Sequence, residues 1–574
     1  MRNLRRRAAT TRLVGLIPAL LLLAFSASLC AAEFYNDWAT NHMGSVPSQS
    51  SPTNDPDSDG VVNLAEYTFG TDPLVSDGIG NAIVALPPET NGVYRMDIFE
   101  RAGHRPGVQI NLDATANLTN WIRSCWVRTL TNSLPDDPTN SVRELFTTHM
   151  PDTNIFFARG MIKLFDRGPE VARFYIVTNG NDSTGNGSIT NPYATLAKAT
   201  GQANPGDLIY VRGGTYNPTA KTSLSRSGTA AQPIRVRAYP GEQPILNCSG
   251  VGSGTDGIGL TGSYWQLYGL EVANAPHNGI KIQGSNSINP AGSHNTIERC
   301  VFRNCGNTGF QLGSSTLTTY IPSDNLVLNC DAYRNYDSAK HGEDADGFAA
   351  KWYIGTNNVF RGCRSWENSD DGWDLWMGIN RVLIDNCWAF RNGSNCWNDT
   401  NFQGNGNGFK LGGGDPGGYV PAAHRVVRCV AFNNMGDGGH GFDQNYNTAG
   451  LTLDDNTAWA NPSNNFALNS TTTTAGVHVV HNNLSIDGTI DIQSSAIQTS
   501  NSWQVITSPD ASTNDVLSID VAFAVAPRRD DGSLPESPFM RPVPGGRLVD
   551  KGADIGEPFS GSAPDLGAYE TPVW

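Results

Sequence analysis

The clearest pattern in the chain is a short hydrophobic–polar–hydrophobic segment that returns at irregular intervals from about residue 255 onward. Each copy starts with a glycine and a large hydrophobic residue, and one outward residue then precedes a second hydrophobic one. The pairs are Gly279-Ile280, Gly309-Phe310, Gly347-Phe348, Gly372-Trp373, Gly408-Phe409 and Gly441-Phe442. A period of two is typical of a strand with one buried and one outer face. We therefore predict that the hydrophobic members point into a core and that the residues between them point out.

A column of cysteine and asparagine residues accompanies this pattern. The anchors are Cys300, Cys330, Cys363, Cys387, Cys429, Asn456 and Asn483, and five residues after them come Cys305, Asn335, Asn368, Asn392, Asn434 and Asn461. The spacing between anchors varies while the core pattern does not, which indicates stacked coils of constant size with loops of varying length. We predict an all-β protein built on a parallel β-helix, right-handed by analogy with the crossover rule. The asparagines would form an internal amide ladder, and the cysteines would be small buried apolar residues.

The first 32 residues have the pattern of a secretory signal peptide. Five arginines precede an apolar run from Leu16 to Phe25, and Ala31-Ala32 offers a small-residue cleavage site. The arginine triplet at 5–7 leaves the twin-arginine route open beside the general one. No other stretch is long and apolar enough to cross a membrane, so we expect a secreted, extracellular protein.

An acidic loop lies in the next segment, residues 33–78. It fits the calcium-loop pattern D-x-D-x-D-G-x5-E, with oxygen ligands at alternating positions. The candidate ligands are Asp55, Asp57, Asp59, Asn63 and Glu66. The residues before the loop do not favour a helix, so it is similar to the half-loops of dockerin or thrombospondin type 3 repeats. The alternative is a solvated acidic linker.

Two further regions follow. Residues 79–170 contain short alternating segments, such as 93–98, 108–112 and 156–162, separated by turn residues, which predicts a small β-sandwich-like domain. Its role is either structural or that of a sugar-binding accessory module. Residues 171–574 would form the parallel β-helix, with a short capping helix near 194–199 and a last segment that closes the solenoid or lies along it.

Four aspartates and one lysine give this β-helix its candidate chemistry. Alignment on the glycine–aromatic pairs brings Asp346 and Asp371 into one column and Asp374 and Lys410 into another, with Asp370 next to them. Adjacent strands of such a stack lie ~4.8 Å apart, so the carboxylates would raise each other's pKa unless a cation neutralised them. An irregular, all-oxygen donor set favours Ca²⁺ over Zn²⁺ or Mg²⁺.

Lys410 has two interpretations. The simpler is a surface ion pair with Asp374 or Asp443. The other is a general base, because a divalent cation nearby disfavours the ammonium form and leaves the amine neutral often enough to accept a proton.

The net charge limits the partners. It is −15 for the whole chain, and removal of the signal arginines makes the mature chain more negative still. Such a protein repels polyanions at long range, which argues against a nucleic-acid partner. An anionic substrate would need a bound cation to bridge the like charges. An odd number of cysteines remains without Cys30, which argues against a complete disulfide framework.

Three motifs together resemble one enzyme family. Asp-Gly-Phe-Ala at 346–349, Asp-Asp-Gly-Trp-Asp at 370–374 and Gly-Phe-Lys-Leu at 408–411 are similar to those of polysaccharide lyase family 9, pectate lyases with a ten-coil parallel β-helix. The resemblance covers roughly residue 173 to the C-terminus. It implies a monomeric enzyme that cleaves polygalacturonate, a pectin-type acidic polysaccharide, by calcium-dependent β-elimination.

The resemblance also implies roles for individual residues. Its calcium ligands match Asp346, Asp370, Asp371 and Asp374, and its catalytic base matches Lys410. Candidate substrate-binding residues are Lys281, Lys351 and Arg391, each of which could equally be a simple surface cation.

Three other functions stay open. The first is the same chemistry on another uronan, because the five matched residues handle only the C5 proton and carboxylate that all uronates share. The second is a β-helix glycoside hydrolase that uses Asp370 and Asp371 as its carboxylic acid pair. The third is a calcium-stiffened adhesin without enzymatic activity.

Overall fold

The computed structural model describes residues 170–414, 421–436, 438–470, 472 and 476–571, together with the backbone of six strands between residues 83 and 164. The chain divides into two compact units: Met1–Leu112 with Trp126–Gly168, and Asp113–Cys125 with Pro169–Trp574. The predicted signal peptide and the predicted calcium loop lie outside the described residues. The predicted boundary near residue 170 stays a prediction.

The larger sheet of the first unit is antiparallel. A four-stranded sheet has the order Ile83–Leu86, Val93–Glu100, Val142–His149, Val127–Ser133, and Val108–Thr115 pairs with Phe157–Leu164. The alternating segments predicted at 93–98, 108–112 and 156–162 correspond to the strands Val93–Glu100, Val108–Thr115 and Phe157–Leu164.

The second unit is a parallel β-helix with three sheets, here named A, B and C. Sheet A consists of Thr222–Leu224, Ile258–Leu260, Ile280–Ile282, Phe310–Leu312, Phe348–Ala350, Trp373–Asp374, Phe409–Lys410, Phe442–Asp443, Phe466–Leu468 and Ile490–Ile492. Sheet B consists of Phe174–Ile176, Leu208–Val211, Ile234–Ala238, Trp265–Tyr268, Thr296–Glu298, Leu326–Leu328, Asn358–Arg361, Val382–Asp385, Arg425–Val427, Thr452–Asp454, Val479–His481 and Ile497–Thr499. Sheet C consists of Gly214–Tyr216, Pro244–Asn247, Glu271–Ala273, Val301–Arg303, Asp331–Tyr333, Arg364–Trp366, Trp388–Phe390, Val430–Phe432, Thr457–Trp459 and Leu484–Ile486.

The two ends of the β-helix are covered differently. The helix Leu196–Thr200 lies at the start, with Thr195 Oγ1 accepting a hydrogen bond from the backbone N–H of Lys198. The helix Ser502–Val505 follows the last coil. The segment after it packs along the outer face of sheet C, where the Phe539 ring lies 5.0 Å from that of Phe432. Of the two predicted arrangements for the C-terminal segment, the one that lies along the solenoid is therefore observed.

Stacked aromatic rings fill the core behind sheet A. Phe348, Trp373, Phe409 and Phe442 are fully buried, and neighbouring ring centroids are 4.8–5.0 Å apart. Each buried ring contributes ~1.5–3 kcal/mol by transfer from water, and each stacked pair adds ~0.5–1.5 kcal/mol. The predicted inward direction of the hydrophobic residues in the repeat is confirmed.

The predicted asparagine ladder is present. Side-chain amides donate from coil to coil, with Nδ2···Oδ1 distances of 2.8 Å from Asn335 to Asn368, 2.9 Å from Asn368 to Asn392 and 3.0 Å from Asn392 to Asn434. The anchor cysteines are free thiols, and those from Cys300 to Cys429 are buried. Both columns therefore serve packing and hydrogen bonding, as the sequence predicts.

From Trp265 to Ile486, the connections of variable length flank sheet A. Every connection from sheet B to sheet C between Trp265 and Ile486 is two residues long, and its first residue has a positive φ, as at Asn329 (53°) and Asn386 (52°). Such tight corners fix the size of each coil. Among the connections that lead into sheet A, 334–347 and 391–408 are the longest, and they enter the strands Phe348–Ala350 and Phe409–Lys410.

Removal of one ladder asparagine should destabilise the protein. Asn392 is fully buried and bonds to both neighbours in the ladder, so Asn392→Ala leaves polar groups without partners at a cost of ~1–3 kcal/mol each. We expect a decrease of at least ~2 kcal/mol in the free energy of unfolding, measured by urea denaturation. Asn204→Ala, at an exposed position, is the control and should shift it by no more than ~0.5 kcal/mol. Equal effects of the two substitutions would contradict a stabilising ladder.

Buried histidines should make the fold acid-sensitive. The Nδ1 atom of His424 accepts a hydrogen bond from the backbone N–H of Val382, 3.1 Å away, so the ring is neutral. Burial, helped by Arg381, lowers the pKa of His424 from 6.5 to about 3. Between pH 6.5 and about 3, the His424 ring is therefore protonated in the unfolded chain but not in the folded protein. Stability is lost as pH falls from about 6.5 towards 3, at up to ~1.4 kcal/mol per pH unit for this group.

The test is urea denaturation of the wild-type protein and His424→Asn between pH 7 and 4. Asparagine already accepts the equivalent backbone hydrogen bond at Asn358, so the variant should fold and lose stability less steeply in acid. His294→Asn, at an exposed position, should follow the wild-type curve. If the free energy of unfolding falls equally steeply with pH for the wild-type protein and His424→Asn, His424 is not the cause of the acid sensitivity.

Candidate active site

The site lies on the outer face of sheet A, where three neighbouring strands carry it. Pairing of these strands puts Ala349 next to Asp374, and Asp374 next to Lys410. The same column runs on to Asp443. The outward column predicted from the glycine–hydrophobic pairs is therefore confirmed in register.

The remaining acidic residues stand just before these strands. Asp346 precedes the strand Phe348–Ala350, while Asp370 and Asp371 precede Trp373–Asp374. All four aspartates are at most 3% exposed. Carboxylate oxygens of Asp346, Asp371 and Asp374 lie within 4.8 Å of one another. The structure thus brings three of the four predicted ligands into one cluster.

One oxygen of Asp371 and one of Asp374 are already held by backbone or amide N–H groups. Asp371 Oδ1 accepts hydrogen bonds from the backbone N–H and the side-chain amide of Asn407, at 2.8 and 2.9 Å. Asp374 Oδ1 accepts one from the Trp376 N–H, 2.8 Å away. Asp371 Oδ2 is buried and accepts no hydrogen bond from the described residues. Asp371 Oδ2 and Asp374 Oδ2, which face lysine ammonium groups, are therefore oxygens that a bound cation could use.

Asp370 has a different position. Its Oδ2 accepts a hydrogen bond from the backbone N–H of Asp344 at 3.0 Å, and its Oδ1 accepts one from that of Asn405 at 3.2 Å. These donors belong to the two long loops, 334–347 and 391–408. Asp370 therefore ties both loops to the coil that carries Asp371 and Asp374, and it lies beside the three-carboxylate cluster.

Two lysines neutralise part of this negative charge. Lys410 Nζ lies 3.0 Å from Asp371 Oδ2 and 3.8 Å from Asp374 Oδ2. Lys351 Nζ lies 2.9 Å from Asp346 Oδ2 and 2.6 Å from Asp374 Oδ2. The side chain of Lys410 is 15% exposed and that of Lys351 is 8% exposed. Lys410 is thus the more accessible of the two amines.

The pKa values reflect a crowded, buried cluster. Burial raises the pKa of Asp371 to about 7, although the Lys410 charge acts in the opposite direction. Burial also raises the pKa of Asp346 well above its ordinary value. For both lysines burial alone would lower the pKa, but the aspartate charges outweigh it and raise the pKa instead. In the absence of a metal, both amines are ammonium ions.

The donor set fits a calcium ion. It consists of carboxylate oxygens in an irregular arrangement, and the buried Asp371 Oδ2 faces the Lys410 ammonium alone of the donors described above. Hard cations with flexible coordination prefer such ligands. A bound cation would favour the ionised form of these carboxyl groups, which burial otherwise disfavours.

The other predicted binding residues are spread over the molecule. Lys281 lies in the same outward column as Asp374, three strands away. Burial, with the nearby charges of Lys221 and Lys351, lowers its pKa although Asp256 opposes this. Arg391 pairs instead with Glu367, at 3.0 Å.

Several residues of the site were missed by sequence reasoning. Thr308 Oγ1 donates to Asp346 Oδ2 at 3.0 Å, and Asn407 holds Asp371. Lys351 was predicted only as a substrate-binding residue. Its outward position, two residues after Ala349, is the signal that would have placed it beside the aspartates.

The described part of the chain has no helix whose length and hydrophobicity would let it cross a lipid bilayer.

Comparison with known proteins gives one consistent result. Residues 174–483 match the family model described as "Pel9A-like, right handed beta helix region". This match supports the predicted handedness of the coils.

Individual relatives support the same family as the family model does. "Pectate lyase L" of Dickeya dadantii is 40% identical over 408 residues, which cover 69% of this chain and 90% of that protein. "Pectate lyase PEL9" of Emericella nidulans is 34% identical over 412 residues, 65% of this chain and 93% of that protein. The crystal structure of pectate lyase Pel9A matches with a TM-score of 0.62 and 38% identity, covering 70% of this chain and 97% of that one. The right-handed β-helix with its aspartate–lysine face therefore belongs to polysaccharide lyase family 9, and the protein is a polysaccharide lyase.

Proposed function

We propose that this protein is a secreted, calcium-dependent pectate lyase that cleaves polygalacturonate by β-elimination. The observation that carries the proposal is the position of Lys410 beside three clustered carboxylates on the outer face of sheet A. Relatives named pectate lyases, 34% and 40% identical, support the choice of substrate. The predicted signal at residues 1–32 supports secretion, and we expect a monomer.

The aspartates are proposed to hold the cation. Asp346, Asp371 and Asp374 each offer one carboxylate oxygen, while Asp370, whose oxygens also accept backbone hydrogen bonds, is the fourth ligand that the family resemblance implies. When bound, Ca²⁺ would neutralise these carboxylates and bind the C6 carboxylate of a uronate, which makes the C5 proton more acidic. This explains how an acidic protein binds a polyanion.

Lys410 is the proposed general base. Its amine, in the neutral form that the neutralised aspartates permit, takes the proton from C5 of the uronate. The electron pair of that C–H bond forms the C4–C5 double bond, the C4–O glycosidic bond breaks, and the leaving oxygen takes up a proton. The products are a 4,5-unsaturated uronide and a new reducing end, and no covalent intermediate with the protein is needed.

Lys281 is the better of the two remaining candidates for substrate binding. Three strand spacings of ~4.8 Å put it ~14 Å from Asp374 along sheet A, which suits a contact with a uronate several sugars from the cleaved bond. Arg391 is already paired with Glu367. The acidic loop with Asp55, Asp57, Asp59, Asn63 and Glu66 is proposed as a second, structural calcium site.

A second candidate substrate comes from one structural likeness. A protein titled "Rhamnogalacturonan lyase" matches with a TM-score of 0.56 and 27% identity over 65% of this chain. The five site residues handle a proton and a carboxylate that all uronates share. Rates of unsaturated product formation on polygalacturonate and on rhamnogalacturonan decide between the two, and we expect polygalacturonate to be the faster substrate.

Lys410→Ala should abolish the elimination without loss of calcium binding. A general base contributes ~10²–10⁴-fold, so we expect kcat at saturating Ca²⁺ to fall at least ~100-fold. The readout is the ultraviolet absorbance of unsaturated product from polygalacturonate, with a chelator as the metal-free control. Lys198→Ala, an exposed lysine outside the site, should keep wild-type activity. New reducing ends without absorbance would indicate hydrolysis instead.

Asp371→Asn should weaken calcium binding directly. Asparagine can still accept the hydrogen bonds from Asn407 through Oδ1, so the local structure is kept while one charged ligand oxygen is lost. We expect the Kd for Ca²⁺, measured by calorimetry, to rise at least ~10-fold, and activity to recover partly at high Ca²⁺. Asp491→Asn, an exposed aspartate in the same column of sheet A, is the matched control. An unchanged Kd for Asp371→Asn would remove Asp371 from the ligand set.

A further inference from the structure

Lys351 occupies an unusual place for a lysine. It follows the sheet A strand Phe348–Ala350, and its backbone N–H donates to the carbonyl of Leu312 at 3.0 Å, which fixes the main chain. Its side chain is 8% exposed and reaches into the aspartate cluster. A lysine that binds polysaccharide at a surface would instead keep its amine in solvent.

The ammonium of Lys351 holds the oxygens that a cation needs. It lies 2.9 Å from Asp346 Oδ2 and 2.6 Å from Asp374 Oδ2. Oδ1 of Asp374 already has the Trp376 N–H as its donor. Calcium–oxygen distances of ~2.3–2.6 Å are close to these. The amine and a divalent cation would therefore draw on the same pair of oxygens.

The charge balance of the aspartate cluster also supports a counter-ion role for Lys351. Without Lys351, the buried carboxylates of Asp346, Asp371 and Asp374 would keep Lys410 as the one lysine paired with them among the described residues. Unpaired buried charges are strongly destabilising, whereas paired ones are tolerated. Lys351 thus stabilises the cluster when no metal is bound, and its positive charge opposes the entry of another cation.

We propose that Lys351 is a tethered counter-ion that holds Asp346 and Asp374 together in the metal-free protein and competes with Ca²⁺ for their oxygens. The proposal rests on the calcium site of the proposed function and adds a residue that sets its affinity. A site that is partly occupied by its own ammonium binds a cation with its intrinsic affinity multiplied by the unoccupied fraction. The enzyme can then fold without calcium, and its calcium affinity is lower than its four aspartates alone would give.

The test uses Lys351→Met, which keeps the length of the side chain without its charge, and Lys351→Gln, which can still donate hydrogen bonds. Lys198→Met removes the same charge from an exposed site and is the matched control. Ca²⁺ alone is the probe. The readouts are the Kd from calorimetry and the Tm with chelator and with saturating Ca²⁺, neither of which depends on activity.

For Lys351→Met we expect Ca²⁺ to bind at least ~10-fold more tightly than to the wild-type protein. We also expect a Tm several degrees lower in chelator, a gap that closes when Ca²⁺ is added. The Kd and Tm of Lys351→Gln should lie between those of the wild-type protein and Lys351→Met. Those of Lys198→Met should match the wild-type values. If Lys351→Met folds only with Ca²⁺ and unfolds when chelator is added, the stabilising part of the proposal is supported directly.

Weaker or unchanged calcium binding by both Lys351 variants would overturn the proposal, as would a wild-type protein that binds no Ca²⁺. Failure of the proposed function looks different. Wild-type protein that binds Ca²⁺ but forms no unsaturated product from polygalacturonate would refute the pectate lyase assignment, while the shifts in Kd and Tm would still support the role of Lys351.

Discussion

Register between parallel strands is the constraint on which the site depends. Strands of neighbouring coils stack at ~4.8 Å with residues directly paired, so a residue in one coil is fixed relative to its counterpart in the next. Asp374 and Lys410 are neighbours because Trp373 pairs with Phe409 in the core behind them. A slip by one residue would turn the ring outward and the charged group inward. The buried aromatic column therefore positions the charged column on the other face of the same sheet.

Burial gives the carboxylates their chemical character. Removal of several like charges from water is costly, and a protein compensates by pairing, hydrogen bonding or metal binding. Pairing and hydrogen bonding both contribute here: Lys351 and Lys410 pair with Oδ2 atoms, while Asn407 and Trp376 bind Oδ1 atoms through their N–H groups. Asp371 Oδ2 is buried and faces the Lys410 ammonium at 3.0 Å, so this oxygen lies between the amine and the other carboxylates.

In this β-helix, the loops that vary in length are those that border sheet A. Two-residue corners with left-handed residues join sheets B and C, and the C-terminal segment covers the outer face of sheet C. Sheet A alone is bordered on both sides by connections of variable length. Asp370 accepts backbone hydrogen bonds from the two longest connections that enter sheet A, 334–347 and 391–408. It thereby attaches both loops to the coil that carries the aspartate cluster. The same scaffold can thus support lyases with different substrates through changes in loops, because loops on a rigid framework tolerate insertion.

The sequence by itself determined the repeat, the inward and outward faces, the asparagine ladder and the column that joins Asp374 to Lys410. These features follow from a period of two and from one anchor per coil, both of which are visible in the order of residues. Only the tertiary structure decided which oxygens are free, that Asp370 anchors loops, and that Lys351 lies within the cluster while Arg391 pairs with Glu367. Loop paths and the reach of long side chains depend on contacts between distant residues, and those contacts have no periodic signature in the chain.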